Sequence, residues 1–285
     1  MPVATKPFTA IAGRLARTVL LLLFAAAGTI LLVRFAPGFF SDSRELDARY
    51  AQATRPEDQP PQSLAQVALA EVHGWLRGDF GQSRQYEIPV AELIGARVKV
   101  SAALLLNGIL SGWLLALCAA LPISALRKGA AVLGLPFTLL LAVPSSALAT
   151  ACIVLNSGGP VLVLSLLVAA REFKFLRSLL EGTWRSPHLL QARAHGLPPL
   201  ALVRLHILPN IAPQVCALAT LSIVTALGAL VPIEVIFTVP GVGQLAWSAV
   251  MNRDLPVLVA VSLLMASVVA FAGLFSAQNH PLEAA

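Results

Sequence analysis

Long apolar runs, separated by short charged or Pro/Gly-rich stretches, set the pattern of this chain. Residues 15–36 are apolar apart from Arg17, Thr18, Thr29 and Arg34. Residues 101–126, 130–155, 211–233 and 255–275 contain no Asp, Glu, Lys, Arg or His. A further run, 160–170, is apolar and then continues at helical spacing through Arg171, Glu172, Lys174, Arg177, Glu181 and Arg185. At about 1.5 Å per residue, roughly 20 apolar residues cross a hydrocarbon core of about 30 Å. The pattern predicts an all-α membrane protein with six transmembrane helices. The run 160–170 is too short to span alone, so neighbours must shield its charged continuation or the charges must snorkel to an interface. The first run also has the outline of a signal peptide, with an A-x-A-like site at 25–27. Its length favours a retained span.

Proline and glycine punctuate these runs. Pro136 and Pro144 interrupt the third span and predict a kink there. The stretch 156–159 predicts a tight turn, followed by Pro160 as a first helical residue. Residues 191–210 are basic, with Arg193, Arg204, His195 and His206 and no acid. Gly196 and the pair Pro198-Pro199 divide them into helix, turn and a second short helix over 200–208, which Pro209 is expected to close.

Composition supports the membrane reading. Of 285 residues, 57% are hydrophobic and 12% charged, against about 25% charged in soluble domains. The net charge of +6 is uneven. Residues 37–99, the one long polar segment, carry nine acids and seven bases, a net of −2. The remainder carries five acids and thirteen bases. The positive-inside rule therefore places 37–99 outside and the basic turns inside, including Lys6, Arg14 and Arg17, Arg127-Lys128, and the bases of 171–206. Both termini are predicted to be cytoplasmic. Within 37–99, residues 63–76 have apolar positions at helical spacing and predict an amphipathic helix. The division is a tail and first span (1–36), an extracytoplasmic loop (37–99) and a transmembrane core (100–285) containing a basic loop at 188–210.

Five stretches carry a resemblance, two of them, Pro144-Ser145-Ser146 and residues 175–190 (FLRSLLEGTWRSPHLL), to segments in the third span and in the approach to the basic loop of the family named next. Ala192-Arg193-Ala194-His195-Gly196-Leu197, followed by Leu208-Pro209-Asn210, resembles the EAA loop of ABC importer permeases in the dipeptide, oligopeptide and nickel branch. His195 stands where that family usually has Lys. Gly78-Asp79-Phe80-Gly81-Gln82-Ser83, with Pro89-Val90 and Ile94 to Arg97, resembles the family's outer signature ahead of the second span. Asp79 is equally well read as a turn acid capping Gly81. The longest match is Glu234, Phe237, Pro240, Gly241, Gly243, Leu245, Ala249, Arg253 and Asp254, in order and spacing. The chain departs from the family at the short 156–159 connection, where relatives have a longer one, and at 276–285, which lacks their basic ending.

The resemblance implies the type I importer permease fold in the bacterial inner membrane. It implies as partners a second permease subunit, two ATPase subunits and an extracytoplasmic solute-binding protein. Peptides are the expected solute, with nickel or another small solute as alternatives. Ala192, Gly196 and Leu205 are expected to dock into the ATPase, and Arg193 and Arg204 to meet acids at its rim. ATP belongs to the partner: no G-x-x-x-x-G-K-[ST] occurs, and Gly241-x-Gly243 has neither a preceding strand nor a third glycine. No nucleophile triad, paired carboxylates or metal-ligand cluster appears. Cys118, Cys152 and Cys216 sit in apolar runs at no ligand spacing. The chain is thus expected to be non-catalytic, to bind no cofactor or metal of its own and to contact lipid but no nucleic acid. A stand-alone carrier or channel would usually need ionisable groups at mid-membrane. That reading, and a decayed permease serving as a scaffold, are the alternatives.

Overall fold

The computed structural model describes residues 77–125, 130–252 and 254–278, together with Thr18, Leu20, Phe24, Gly28 and Gly74. The described residues are helical apart from short turns and one isolated bridge, Gln82 to Pro89. We label the helices α1 (Val90–Ala125), α2 (Ala130–Leu140), α3 (Ser145–Val154), α4 (Pro160–Trp184), α5 (Pro187–Ala194), α6 (Pro199–Leu202), α7 (Leu208–Ile236), α8 (Val242–Met251) and α9 (Leu255–Gln278). The four described positions of the expected first span are helical. The expected amphipathic helix at 63–76, apart from Gly74, which is helical, and the basic turn at 127–129 lie outside the described residues.

Among the described residues, three helices are long and apolar enough to cross a membrane: Val90–Ser124, Val203–Ile236 and Leu255–Gly273. A fourth crossing exists if the bent pair Val132–Leu140 and Ser145–Val154 acts as one span. That pair turns by 98°, a much sharper break than the expected kink. Pro136 is carried inside α2. The break falls at Pro144, whose ring steers the preceding residue away from helical geometry. α1 runs unbroken through residues 99–100, where a loop-to-core boundary was expected. Its 36 residues make about 54 Å of helix, longer than a bilayer core is thick.

The chain forms two compact units, residues 1–99 with 245–268 and residues 100–244 with 269–285. In the first, Val90, Leu93, Leu245, Ala249 and Val257 are buried. In the second, α4 is the central helix and packs on α2, α3 and α7. Small residues let α1 approach it. A Cβ on Gly108 would lie 2.5 Å from Leu164 Cδ2, and one on Gly112 2.8 Å from the Ser165 carbonyl. Close approach through glycine is how apolar helices gain dispersion energy in lipid, where no hydrophobic force drives them together. Phe137 of α2 stacks on Phe173 of α4 with centroids 4.2 Å apart.

α4 begins at Pro160, as its fixed φ favours, and continues to Trp184. Its charges are handled in two ways. Arg177 and Glu181 pair at 2.6 Å on a partly exposed face, contributing a few tenths of a kcal/mol. Glu172 does not snorkel. It is buried, and its Oε1 accepts from Ser222 Oγ of α7 at 2.8 Å. Ser222 Oγ in turn accepts from Trp113 Nε1 of α1 at 3.0 Å.

The second helix of the basic loop does not stop at Pro209. Helical structure continues from Pro199 to Ile236 through a π-helical turn, Val203–Ile207, where Leu208 N–H bonds to Val203 O. The wider turn slips the hydrogen-bond register just before the residue that has no N–H to offer. Pro209 therefore sits at the start of α7 instead of ending a helix.

Candidate functional site

The basic loop is an elbow with two faces. Leu189, Ala192, Leu202, Ile207 and Ile211 are buried in one cluster with Ala116, Ala120 and Ile123 of α1 and Phe173, Leu176 and Leu180 of α4. Leu197 packs against that cluster. Burial of a large aliphatic side chain from water contributes about 1.5–3 kcal/mol. Leu189, Leu202, Ile207 and Ile211 together therefore outweigh any surface ion pair in holding the elbow to the helices. Ala192, expected to dock into the ATPase, lies among the buried residues of this cluster. It is 6% exposed and faces the chain's own core, so its small size serves internal packing.

The other face is open. Ala194, His195, Gly196, Arg204, Pro209 and Asn210 are exposed. So are Leu190, Leu205 and Leu208, and Leu205 is 61% exposed. Gly196 ends α5 with φ +78°, a left-handed conformation, and a Cβ there would meet nothing within 4 Å. Open space thus lies beside the turn between α5 and the helix beginning at Pro199. Arg193 is exposed, but its guanidinium lies over the Trp184 ring, 4.6 Å from the centroid.

Glu234, near the end of α7, organises a second site. It is fully buried. Ser101 Oγ donates to its Oε1 at 2.6 Å, and the backbone N–H groups of Gly243 and Gln244 donate to its Oε2 at 2.7 and 3.1 Å. Ser101 Oγ also accepts from Val242 N at 2.7 Å. The free amides at the start of α8 are thus satisfied by a carboxyl nine residues upstream and by a serine of α1, at the end of the helix that favours negative charge. The two glycines of the motif make room for this. A Cβ on Gly241 would lie 2.2 Å from Glu234 Oε1, and one on Gly243 would lie 2.8 Å from Val231 Cα. Phe237 caps α7, and Thr238 takes a positive φ of 53° to turn the chain toward Pro240.

The outer signature and the end of the longest motif meet in the first unit. Gly78 and Gly81 have φ of 77° and 76°. Asp79 Oδ1 accepts from Gly81 N at 2.9 Å, the turn-capping geometry. Ser83 is buried and donates to Asp254 Oδ2, which also accepts from Gln85 N at 3.2 Å. Ser83 Oγ receives Tyr86 N at 3.0 Å. Two motifs 171 residues apart in sequence are joined through one carboxyl group. Arg253 lies outside the described residues. Among the described residues no group of three or more His, Cys, Asp or Glu is placed to hold a metal.

Sequence reasoning did not single out Ser101, Trp113, Ser124, Trp184 or Ser222. Each is a lone polar or amphipathic residue in a helix, and only its partner in space distinguishes it.

Comparison with known proteins gives these sites a family context. A protein of Brucella suis biovar 1 named as a peptide permease is 28% identical over 265 residues, 82% of this chain and 81% of that protein. The metal-staphylopine import system permease CntB of Staphylococcus aureus is 34% identical over 107 residues. The di/tripeptide transport system permease DppB of Pseudomonas aeruginosa is 34% identical over 110. The matched stretches span about a third of the length of these two relatives, 34% and 33%. A chain of the inward-facing MetNI methionine ABC transporter shares the fold, with a TM-score of 0.55 at 18% identity over 65% of this chain and 94% of that one. Residues 108–279 match a family profile, and by that match the chain belongs to the binding-protein-dependent transport system inner membrane components.

Proposed function

We propose that the chain is the non-catalytic permease subunit of an ATP-driven importer for di- or oligopeptides. It works in the bacterial inner membrane with both termini cytoplasmic. Its partners are a second permease subunit, two ATPase subunits and an extracytoplasmic solute-binding protein, and ATP is bound by the ATPase alone. The observation that carries the reading is the two-faced elbow: Gly196, Leu190, Leu205 and Arg204 are exposed on a segment whose other residues are packed into α1 and α4. A surface so held transmits force, because packed helices move as rigid bodies and do not deform continuously. The names of the Brucella and Pseudomonas relatives support peptides as the solute.

Mechanistically, closure of the ATPase pair pushes the elbow, and the helices packed on its inner face tilt with it. The pathway then alternates between inward- and outward-facing arrangements. The test is purification of the chain with its ATPase subunits in lipid nanodiscs. ATP hydrolysis by the complex is expected to rise when the loaded binding protein and a tripeptide are added. Uptake by the chain alone, without an ATPase, would establish a self-sufficient carrier instead. An assembled complex whose hydrolysis ignores both additions would reduce the chain to a scaffold.

A further inference from the structure

The corner where α4 hands over to α5 holds a side chain to which the resemblance of residues 175–190 gives no role. Trp184 is the last residue of α4. Its indole N–H donates to Ser124 Oγ, near the end of α1, at 3.0 Å. Ser124 is buried and donates its own proton to Leu121 O at 2.9 Å, so its oxygen is fixed as an acceptor. The Arg193 guanidinium of α5 covers the ring. One residue thus touches α1 and α5 from the end of α4. Of the natural side chains, tryptophan alone offers a ring N–H at one edge and a strong cation-binding face at once.

We propose that Trp184 is the positioning residue that carries displacement of the 187–208 elbow into α1. The inference rests on the reading of the chain as a permease driven by an ATPase. The elbow is joined covalently to α4 and α7, but α1 receives its motion only through non-covalent contacts. The aliphatic contacts of Ala116, Ala120 and Ile123 hold α1 against the elbow but have no direction of their own. The Trp184–Ser124 hydrogen bond has direction and fixes the register of α1 against the corner. Arg193 holds the ring in place from the α5 side, so a shift of α5 pulls on the ring.

The test uses the assembled transporter in nanodiscs, with Cys152 and Cys216 replaced by serine. Cys118, exposed on α1, is the reporter. Because it lies in a membrane-spanning run, it is given a nitroxide spin label in detergent before reconstitution; its EPR spectrum is measured without nucleotide and with ATP plus vanadate, and the two spectra are expected to differ in this reference chain. In Trp184→Leu the difference is expected to shrink about fivefold, as loss of one hydrogen bond and one cation–π contact implies. ATP hydrolysis is expected to stay within about twofold, as for changes away from the docking face. Trp184→Phe, Ser124→Ala and Arg193→Gln each remove one contact and should give intermediate responses, with Arg193→Lys closer to the reference. A full nucleotide response in Trp184→Leu would overturn the proposal. So would hydrolysis and response falling together in both Trp184→Phe and Ser124→Ala, the mark of a merely structural role. A reference complex that hydrolyses ATP with no change at Cys118 would overturn it too, because α1 would not be moving. If the reference chain fails to bind the ATPase at all, the permease reading itself falls, and this inference with it.

Discussion

Glu234→Ala is expected to unfold the junction between α7 and α8 and to abolish transport. The substitution removes the acceptor of three hydrogen bonds in a fully buried site. It leaves the Gly243 and Gln244 amides and the Ser101 hydroxyl to find new partners where water does not reach. Each buried polar group left unmatched costs about 1–3 kcal/mol, so the total loss is on the order of 3 kcal/mol or more. Glu234→Gln should be much milder, since an amide oxygen still accepts from the two backbone N–H groups. Gly241→Ala should resemble Glu234→Ala, because its methyl would occupy the space of the carboxyl. Thermal unfolding of the purified chain in detergent measures all three. Equal midpoints for Glu234→Ala and Glu234→Gln would mean that the hydrogen bonds contribute little.

Gly196→Arg is expected to abolish uptake while the protein still inserts and folds. A Cβ at Gly196 meets nothing within 4 Å, so the long side chain projects outward without disturbing the core. The cost to the chain is confined to the positive φ of 78°, about 1 kcal/mol for a residue with a Cβ. The cost to docking is a long charged side chain standing on the exposed face that the partner must meet. Gly196→Ala separates the two effects. It carries the same backbone strain without the bulk and should keep most of the uptake. Membrane-fraction yield and uptake of a labelled tripeptide in cells lacking the native permease are the two readouts. Normal uptake by Gly196→Arg would exclude Gly196 from the docking surface.

The membrane class and the positions of the motifs were legible because they rest on local signals. Runs free of charge report lipid directly, and Gly-x-Gly after Pro240 reports backbone held close to something. What that something is could not be read. Glu234 fills the space beside Gly241, and its partner Ser101 lies 133 residues away, beyond the reach of any periodicity. The same limit hid the Ser83–Asp254 link, although both residues fell in recognised motifs.

Ala192 shows a different limit. Small size signals close approach, but not whether the surface approached is the chain's own or a partner's. Pro209 is a case where a local rule met a longer one. Proline ends isolated helices, but here a π-turn one residue earlier absorbs the missing N–H, and an apolar run long enough to cross a membrane carries the helix on. Trp184 fell in the stretch 175–190 that resembles the family, but its contacts come from the corner around it and left no local sign.

The central claim is that residues 187–208 face the cytoplasm and are gripped there by an ATPase. A single cysteine at Leu205, in a chain whose native cysteines are replaced, tests it with a membrane-impermeant maleimide. The account predicts no labelling in intact spheroplasts, rapid labelling in inverted vesicles stripped of the ATPase, and protection when purified ATPase is added back. Labelling of intact spheroplasts would contradict it, and so would labelling in inverted vesicles that the ATPase leaves unchanged.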